Sequence, residues 1–255
     1  MQRSHDNKKN KIMVKNRILV TRSLPDGEVL SAELESLGFD VMLCPMITIK
    51  SITPCIENIN KKIDMFIFIS RNAVRFSYPF IKNHPDFINQ NIATIGIGTS
   101  SELKLYDYQA NIVPKLQNSE GMLSLEYFKS IKNKNICIIK GEGGRKYLEQ
   151  CLVKKGAIVS AINFYKRLDV KINIKSRSQI KKFNPNYVII SNFQSLQNFI
   201  KNISRWNLHN TKIIIPSQKT LQHCKNIGLK QKNLTVCSPH SKNIIETIYD
   251  NQKQR

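Results

Sequence analysis

The chain repeats its own pattern, and this repeat limits the folds open to its 255 residues more than any other feature. Self-similarity along a chain indicates structural units that resemble one another. In chain order, the matched segments are 17–46 with 135–167 (an offset of about 118 positions), 64–76 with 186–199, and 91–113 with 211–236. The repeat predicts two similar domains with a cleft between them. Each half of the repeat need not coincide with one domain.

Short apolar runs rich in β-branched residues alternate with stretches of helical character. The first run, Arg17–Thr21, precedes a predicted helix over Glu28–Leu37 that ends at Gly38. Apolar strands separated by helices of about 10 to 15 residues are typical of parallel sheets covered on both faces. The pattern therefore predicts an α/β protein with a parallel sheet flanked by helices in each domain. The other predicted strands are 39–44, 64–69, 91–95, 111–113, 135–139, 157–164, 187–190, 212–215 and 234–237.

The charge of the chain raises the question of its ligand. Forty Lys and Arg against 18 Asp and Glu give a formal net charge of +22, yet 41% of the residues are hydrophobic, which excludes a disordered polycation. Basic residues occur along the whole chain. Two interpretations stay open: a solvated, Lys-rich surface, or a polyanionic ligand such as nucleic acid or a small polycarboxylate.

The sequence lacks the usual marks of export, metal binding and cofactor chemistry. It contains no apolar run long enough to cross a bilayer and no signal-peptide pattern, which favours a cytoplasmic protein. Residues 1–13 are predicted to be a disordered basic extension. The six cysteines form no CxxC pair and are interpreted as reduced side chains. Because P-loop, dinucleotide, serine-triad and metal-hydrolase motifs are missing, we expect no cofactor and no metal.

The turns after the predicted strands are the candidates for ligand binding. In open parallel sheets, ligands bind beyond the carboxyl ends of the strands, beside helix N-termini. Nearly every such turn here supplies a hydroxyl, a glycine or a cation. Ser, Thr and Asn also cap helices, so capping alone remains an alternative for each turn. The turns are Thr21–Ser23, Ser70–Asn72, Gly96–Ser100, Asn118–Gly121, Gly141–Arg145, Ser191–Asn192, Ser217–Lys219 and Ser238–Ser241.

This ordered set of segments resembles the uroporphyrinogen-III synthase family over nearly the whole chain, from about Ile18 to Ile248. Each segment alone is a weak signal, whereas their order and spacing together are specific. The residues that carry the resemblance are Ile18–Arg22, Leu37–Gly38 with Pro45, Phe68–Val74, Ile95–Thr99, Ser119–Leu123, Lys140–Arg145, Tyr165–Arg167 and Pro216–Ser217.

The resemblance implies a fold in which the chain crosses between two domains and returns. Both domains are then flavodoxin-like, and a two-segment hinge near Ile47 and Leu168 joins them. One domain comprises 14–47 and 168–250, and the other comprises 48–167.

The resemblance also implies a reaction. Its substrate is hydroxymethylbilane, a linear tetrapyrrole with eight carboxylates, which closes with inversion of the last pyrrole ring and loss of water to give uroporphyrinogen III. Without the enzyme, the bilane closes without inversion. The work of the protein is then to hold an azafulvene and a spiro intermediate away from water. The implied partners are this substrate and a hand-over of it from hydroxymethylbilane synthase, with no nucleic acid and no membrane.

By the same resemblance, Tyr165 has the catalytic role of helping the hydroxyl leave, with packing of the cleft wall as the alternative. The residues that would bind the propionates and acetates are Arg22, Ser70, Asn72, Thr99, Ser100, Ser119, Gly121, Lys140, Arg145, Ser191, Ser217 and Lys219. The chain departs from the family pattern where Ser23 replaces a proline, Asn192 replaces a glycine, and Lys140 and Lys219 replace arginines. A lysine lacks the two-pronged geometry with which arginine binds carboxylates.

Two other functions stay open on the residues alone. The first is a non-catalytic two-domain binding protein for a small polyanionic ligand. The second is a basic nucleic-acid binder, which requires a contiguous Lys/Arg face. The repeat and its strand-end turns favour the enzyme over both.

Overall fold

The computed structural model describes residues 16–55, 62–83, 87, 90–203 and 210–253, so the predicted extension over residues 1–13 lies outside the described part. The chain divides into two compact units. Unit 1 combines Met1–Thr48 with Asp169–Arg255, and unit 2 is Ile49–Leu168. Among the described residues, no helix is both long and apolar enough to span a membrane.

Strands and helices alternate along most of the described chain, which confirms the α/β class. Two short 3-10 turns lie at Glu126–Lys129 and Gln231–Asn233. In chain order the elements are β1 (Arg17–Val20), α1 (Asp26–Ser36), β2 (Asp40–Leu43), β3 (Ile47–Ser51), β4 (Met65–Phe68), α2 (Arg71–Ile81), β5 (Asn91–Thr94), α3 (Ile97–Lys104), α4 (Ser119–Leu123), β6 (Asn135–Gly141), α5 (Tyr147–Lys154), β7 (Ile158–Asp169), α6 (Ile174–Phe183), β8 (Tyr187–Ile189), α7 (Phe193–Ile203), β9 (Lys212–Ile215), α8 (Gln218–Asn226), β10 (Leu234–Val236) and α9 (Ser241–Lys253).

Each unit is built on one five-stranded sheet, and the two sheets have equivalent strand orders. The order is β2-β1-β8-β9-β10 in unit 1 and β5-β4-β6-β7-β3 in unit 2. With β1 counted as the first strand in unit 1 and β4 as the first in unit 2, both sheets follow the flavodoxin-like order 2-1-3-4-5. In unit 2 the last place is taken by β3, which precedes β4 in the chain. The point where the order reverses lies between β1 and β8 in one sheet and between β4 and β6 in the other. Ligands of such sheets bind at this point.

Both sheets are covered on both faces. Side chains that alternate along each strand point to opposite sides of the sheet, and they pack into core clusters on both sides. In β1, Leu19 packs into one core cluster of unit 1, and Ile18 and Val20 pack into the other. In β4, Phe66 and Phe68 belong to the cluster that contains α2 residues, whereas Ile67 belongs to the cluster with α5 residues. Strands buried on both faces explain why their sequences are continuously apolar.

The two segments predicted as the hinge both lie in strands. Ile47 begins β3 and Leu168 lies near the end of β7. The N–H of Val170 donates to the carbonyl of Met46, and the N–H of Ile52 donates to the carbonyl of Phe164, so the two segments run antiparallel. The sheet of unit 2 is therefore parallel except at this edge.

One predicted strand differs from the structure. The predicted strand 111–113 makes only a single parallel bridge, between Ala93 and Ile112. The side chain of Asn111 instead accepts a hydrogen bond from the N–H of Ile92 at 2.8 Å, which replaces part of a strand ladder.

Candidate active site

The residues predicted to form the site fall into two groups, one at the carboxyl ends of each sheet. Those in unit 1 are Arg22 after β1, Ser191 after β8, Ser217 before α8 and Lys219 in its first turn. Those in unit 2 are Ser70 and Asn72 around the start of α2, Thr99 and Ser100 in α3, Ser119 and Gly121 in α4, Lys140 in β6, Arg145 before α5, and Tyr165 in β7.

Tyr165 is fully buried, with 0% of its surface exposed, and it is part of the core of unit 2. Its ring stacks on Phe76 with a centroid distance of 5.7 Å. Its hydroxyl lies 2.9 Å from the Oγ of Ser70 and accepts a hydrogen bond from a terminal nitrogen of Arg167 at 3.0 Å. The hydroxyl group of the tyrosine predicted to be catalytic therefore contacts one serine and one arginine side chain.

A bulge in β7 turns Tyr165 toward this core. Lys140 pairs with Asn163 and the next residue, Gly141, pairs with Tyr165, so Phe164 is an extra residue in β7. In a regular strand, Phe164 and Tyr165 would point to opposite faces. Both join the same core cluster here. Bulges often re-aim a side chain beside an active site, and this one brings the Tyr165 hydroxyl to Ser70.

Gly141 is required by the position of the tyrosine ring. A Cβ built on Gly141 would lie 2.4 Å from the Cζ atom of Tyr165, closer than two carbons can approach. The residue faces the protein rather than open space. Its part in the turn 141–145 is therefore to admit the aromatic ring, a role that the sequence interpretation did not assign to it.

Arg167 is the residue that the sequence analysis left out of the site. Besides its hydrogen bond to Tyr165, its guanidinium lies 5.3 Å from the centre of the tyrosine ring. The spacing of two between Tyr165 and Arg167 places both side chains on one side of an extended strand. The segment Tyr165–Arg167 carries this signal, whereas no local pattern indicates the bulge that brings Tyr165 against Phe76 of α2.

A pocket of about 270 Å³ in unit 2 brings three of the predicted residues together. Ser119, Lys140 and Arg145 line it, with apolar walls that include Ile138 and Leu148. Ile138 and Leu148 belong to the core cluster on the opposite face of the sheet from Tyr165. The predicted site residues of unit 2 therefore form two separate clusters at the same edge.

Lys140 and Arg145 differ in how far the protein neutralises them. Lys140 is 9% exposed, and no carboxylate among the described residues lies within ion-pair distance of it. Arg145 donates to Glu120 at 3.0 Å, and the two side chains are 65% and 43% exposed. A hydrogen bond from its own backbone, and then Arg145, hold the pKa of Glu120 below its ordinary value. Solvent screens such an exposed pair and weakens it, so an anionic ligand can displace Glu120 from Arg145.

Some predicted residues already use their polar groups within the protein. The N–H of Gly121 donates to the side-chain oxygen of Asn118 at 2.7 Å, which caps α4. A Cβ on Gly121 would lie 2.0 Å from the carbonyl oxygen of Leu116, so only glycine fits there. Thr99 is buried, while Asn72 and Ser100 are half-buried in the first turns of α2 and α3.

In unit 1, Arg22 is buried and joins the ends of two neighbouring strands. Its Nε donates to Ser191 Oγ at 3.1 Å, and a terminal nitrogen donates to the carbonyl of Pro239 at 2.5 Å. Ser217 caps α8 by accepting from the N–H of Thr220 at 3.2 Å, and Lys219 is exposed. Arg22 thus organises the turns at the point where the strand order reverses.

Comparison with known proteins agrees with the family resemblance seen in the sequence. Residues 28–236 match the family model described as Uroporphyrinogen-III synthase HemD. The uroporphyrinogen-III synthase of Proteus mirabilis is 30% identical over 159 residues, which cover 59% of this chain and 80% of that protein. The uroporphyrinogen-III synthase of Escherichia coli K12 is 23% identical over 230 residues, which cover 83% of this chain and 91% of that protein.

A solved structure shows the same fold. The crystal structure of uroporphyrinogen-III synthetase from Helicobacter pylori 26695 superposes with a TM-score of 0.64 at 13% identity, and the match covers 92% of this chain and 99% of that chain. At this identity the likeness concerns the fold alone. The match to the family model over residues 28–236, which is more than half of the chain, establishes that the chain belongs to the uroporphyrinogen-III synthase family.

Proposed function

We propose that the chain closes hydroxymethylbilane to uroporphyrinogen III, with inversion of the last pyrrole ring and loss of water. Family membership supports this lyase activity in tetrapyrrole biosynthesis. The observation in the structure that carries it is the buried Tyr165 hydroxyl, held between Ser70 and Arg167 at the carboxyl edge of a parallel sheet. A hydroxyl leaving group needs a proton, and this cluster can supply one.

The tyrosine hydroxyl is suited to this role by its surroundings. The guanidinium of Arg167 carries only donors, and it stabilises negative charge on the oxygen to which it donates. Burial strengthens this interaction because little water screens it. Tyr165 therefore acts as the proton source for the leaving hydroxyl, and Arg167 offsets the charge that the phenolate acquires.

The carboxylates of the substrate bind at the polar turns of each unit. In unit 2, Lys140 supplies a positive charge without an acidic partner among the described residues, and Arg145 supplies one with an easily displaced partner. Ser119, Asn72 and Ser100 add hydroxyl and amide groups. In unit 1, we propose contacts through Ser191, Ser217 and Lys219, with Arg22 holding the turns in place.

We also propose that the two compact units are the domains of the enzyme, with the bounds 14–47 plus 168–250 and 48–167. In support, the division of contacts falls at Thr48/Ile49 and Leu168/Asp169, within two residues of these bounds.

We also propose a cytoplasmic setting for the reaction. All six cysteines are free, as is usual in a reducing cytoplasm, where we place the reaction.

Because the bilane closes spontaneously to the wrong isomer, direct hand-over from hydroxymethylbilane synthase would protect it. With both enzymes mixed at low concentration, hand-over predicts more type III product than delivery of the same bilane through solution, and equal yields contradict it.

The activity is tested by supplying freshly generated hydroxymethylbilane, oxidising the products and separating the isomers. The proposal predicts type III product well above a control without enzyme. A product mixture identical to that control would show that the chain is not this enzyme.

A further inference from the structure

The hydrogen bonds around Tyr165 have a defined direction. Arginine carries only donors, so the contact from Arg167 fixes the Tyr165 oxygen as an acceptor. The hydroxyl proton of Tyr165 then needs an acceptor of its own. Among the described residues, the only acceptor within hydrogen-bond distance is the Oγ of Ser70, at 2.9 Å. The tyrosine therefore donates to the serine.

The same reasoning leaves one proton of the cluster without a partner. Ser70 Oγ has two lone pairs, and it accepts from Tyr165 and from the N–H of Ala73 at 3.0 Å. Both of its acceptor positions are filled. The hydroxyl proton of Ser70 is donated to no group in the described part of the chain.

Burial distinguishes the two hydroxyl groups as well. Tyr165 is 0% exposed, whereas Ser70 is half-buried at the N-terminus of α2. A ligand at the carboxyl edge of the sheet can thus touch Ser70 while Tyr165 stays covered. The accessible end of the cluster carries the unassigned proton.

From these observations we propose that Ser70 is the residue that donates a proton to the leaving hydroxyl, and that Tyr165 acts through it. This inference rests on the proposed function. It gives Ser70 a catalytic role in place of carboxylate binding, and it makes Tyr165 and Arg167 positioning residues behind the serine.

The proton moves in a short relay. The bond between the hydroxymethyl carbon and its oxygen breaks, and the oxygen takes the Ser70 proton and leaves as water. Ser70 Oγ takes the Tyr165 proton, which leaves a tyrosinate beside the Arg167 cation. The lone pair of the terminal pyrrole nitrogen forms the new double bond of the cationic azafulvene. When the macrocycle closes, the last pyrrole ring gives one carbon-bound proton to Ser70 Oγ while Ser70 passes its own proton to the Tyr165 oxygen, so both hydroxyl groups are restored.

The test compares single and double variants by the initial rate of type III formation above the spontaneous reaction. Ser70→Asn keeps an acceptor for the Ala73 N–H but lacks an acidic hydroxyl, so turnover should fall about 100-fold, as in Tyr165→Phe. Affinity for the product should change little. The double variant should be no slower than the slower single variant, because both residues act in one relay. Ser70→Thr, which keeps the hydroxyl, should restore most of the turnover.

A matched control separates helix capping from proton transfer. Asn173 caps α6 through its side chain at 2.8 Å, outside the proposed site. Asn173→Ala should lower the unfolding midpoint about as much as Ser70→Ala, without changing turnover. The inference is overturned if Ser70→Asn keeps wild-type turnover, or if the losses of Ser70→Asn and Tyr165→Phe multiply in the double variant. If the wild-type enzyme gives no type III product, the proposed function fails instead.

Discussion

The hydroxyl of Tyr165 shows how a few neighbours set the chemistry of one side chain. The bulge at Phe164 aims it, Gly141 leaves room for its ring, and Ser70 and Arg167 occupy its oxygen. Arg167 places a positive charge next to the Tyr165 oxygen, where it can offset negative charge on that oxygen. Arg167 is thus the neighbour whose removal changes the chemistry most while leaving the ring in place.

The variant Arg167→Met tests this directly. It removes the donor to the Tyr165 oxygen but keeps a side chain of similar length against the ring. A hydrogen bond from a charged donor is worth about 1.5–3 kcal/mol, which corresponds to a loss of turnover of about 10- to 100-fold. Type III should remain the main enzymatic product, since the substrate still binds. Steady-state turnover within twofold of the wild type would contradict the role of Arg167.

Replacing Lys140 tests whether this residue binds a carboxylate of the substrate. Lys140→Met should raise KM about 10-fold with little change in kcat if, as proposed, Lys140 contacts a substrate carboxylate in the ground state and the transition state alike. Lys154→Met, on the exposed side of neighbouring α5, removes the same charge away from the pocket and should leave KM unchanged. Equal effects of the two variants would mean that only the net charge of the protein matters.

Helices α2 and α3 lie side by side in unit 2 and are joined by one well-formed ion pair. Arg75 of α2 contacts Glu102 of α3 through two nitrogen–oxygen pairs, each 2.7 Å, and the side chains are only 19% and 6% exposed. The N-termini of these helices carry Ser70 and Asn72, and Thr99 and Ser100. The pair therefore holds two of the predicted binding turns at a fixed spacing.

Breaking this pair should destabilise unit 2. Glu102→Gln leaves the Arg75 charge partly buried without its counter-charge, and we expect the free energy of unfolding to fall by about 3 kcal/mol. Glu126→Gln is the control, since its pair with Lys129 is mostly exposed and should contribute under about 1 kcal/mol. Urea unfolding measures both. A loss for Glu102→Gln no larger than that for Glu126→Gln would show that the pair does not hold the helices.

Over the whole chain, the sequence predicts structural features that depend on neighbouring residues better than features that depend on distant ones. Apolar strands, their helices and the hydroxyl-bearing turns follow from local patterns. Other features depend on distant partners: β3 pairs with β7, and Arg22 is buried by Ser191 and Pro239, which are 169 and 217 positions away. The bulge that aims Tyr165 depends on the register with β6. No local pattern carries that information.

The buried thiol of Cys137 should make the stability of the protein depend on pH in the alkaline range. Burial raises the pKa of Cys137 from its ordinary value of 9.0 to about 12. Between these values the unfolded chain has lost the thiol proton and the folded chain has kept it. Stability must therefore fall as pH rises from about 9 to 12, by up to about 1.4 kcal/mol per pH unit.

Cys137→Val, which cannot ionise, removes this contribution and should flatten the alkaline fall in the free energy of unfolding. Replacing exposed Cys55 with Ser should not. Urea unfolding at several pH values between 8 and 11 compares the three proteins. Parallel curves for the wild type and Cys137→Val would show that the thiol does not remain protonated in the fold.

Under the proposed function, this protein determines which isomer forms. The most direct measurement is the ratio of type III to type I product from fresh hydroxymethylbilane over a series of enzyme concentrations. Spontaneous closure competes at a fixed rate, so the type III share should rise with enzyme until nearly all product is type III. A ratio that stays at the value without enzyme, whatever the concentration, would contradict the assignment.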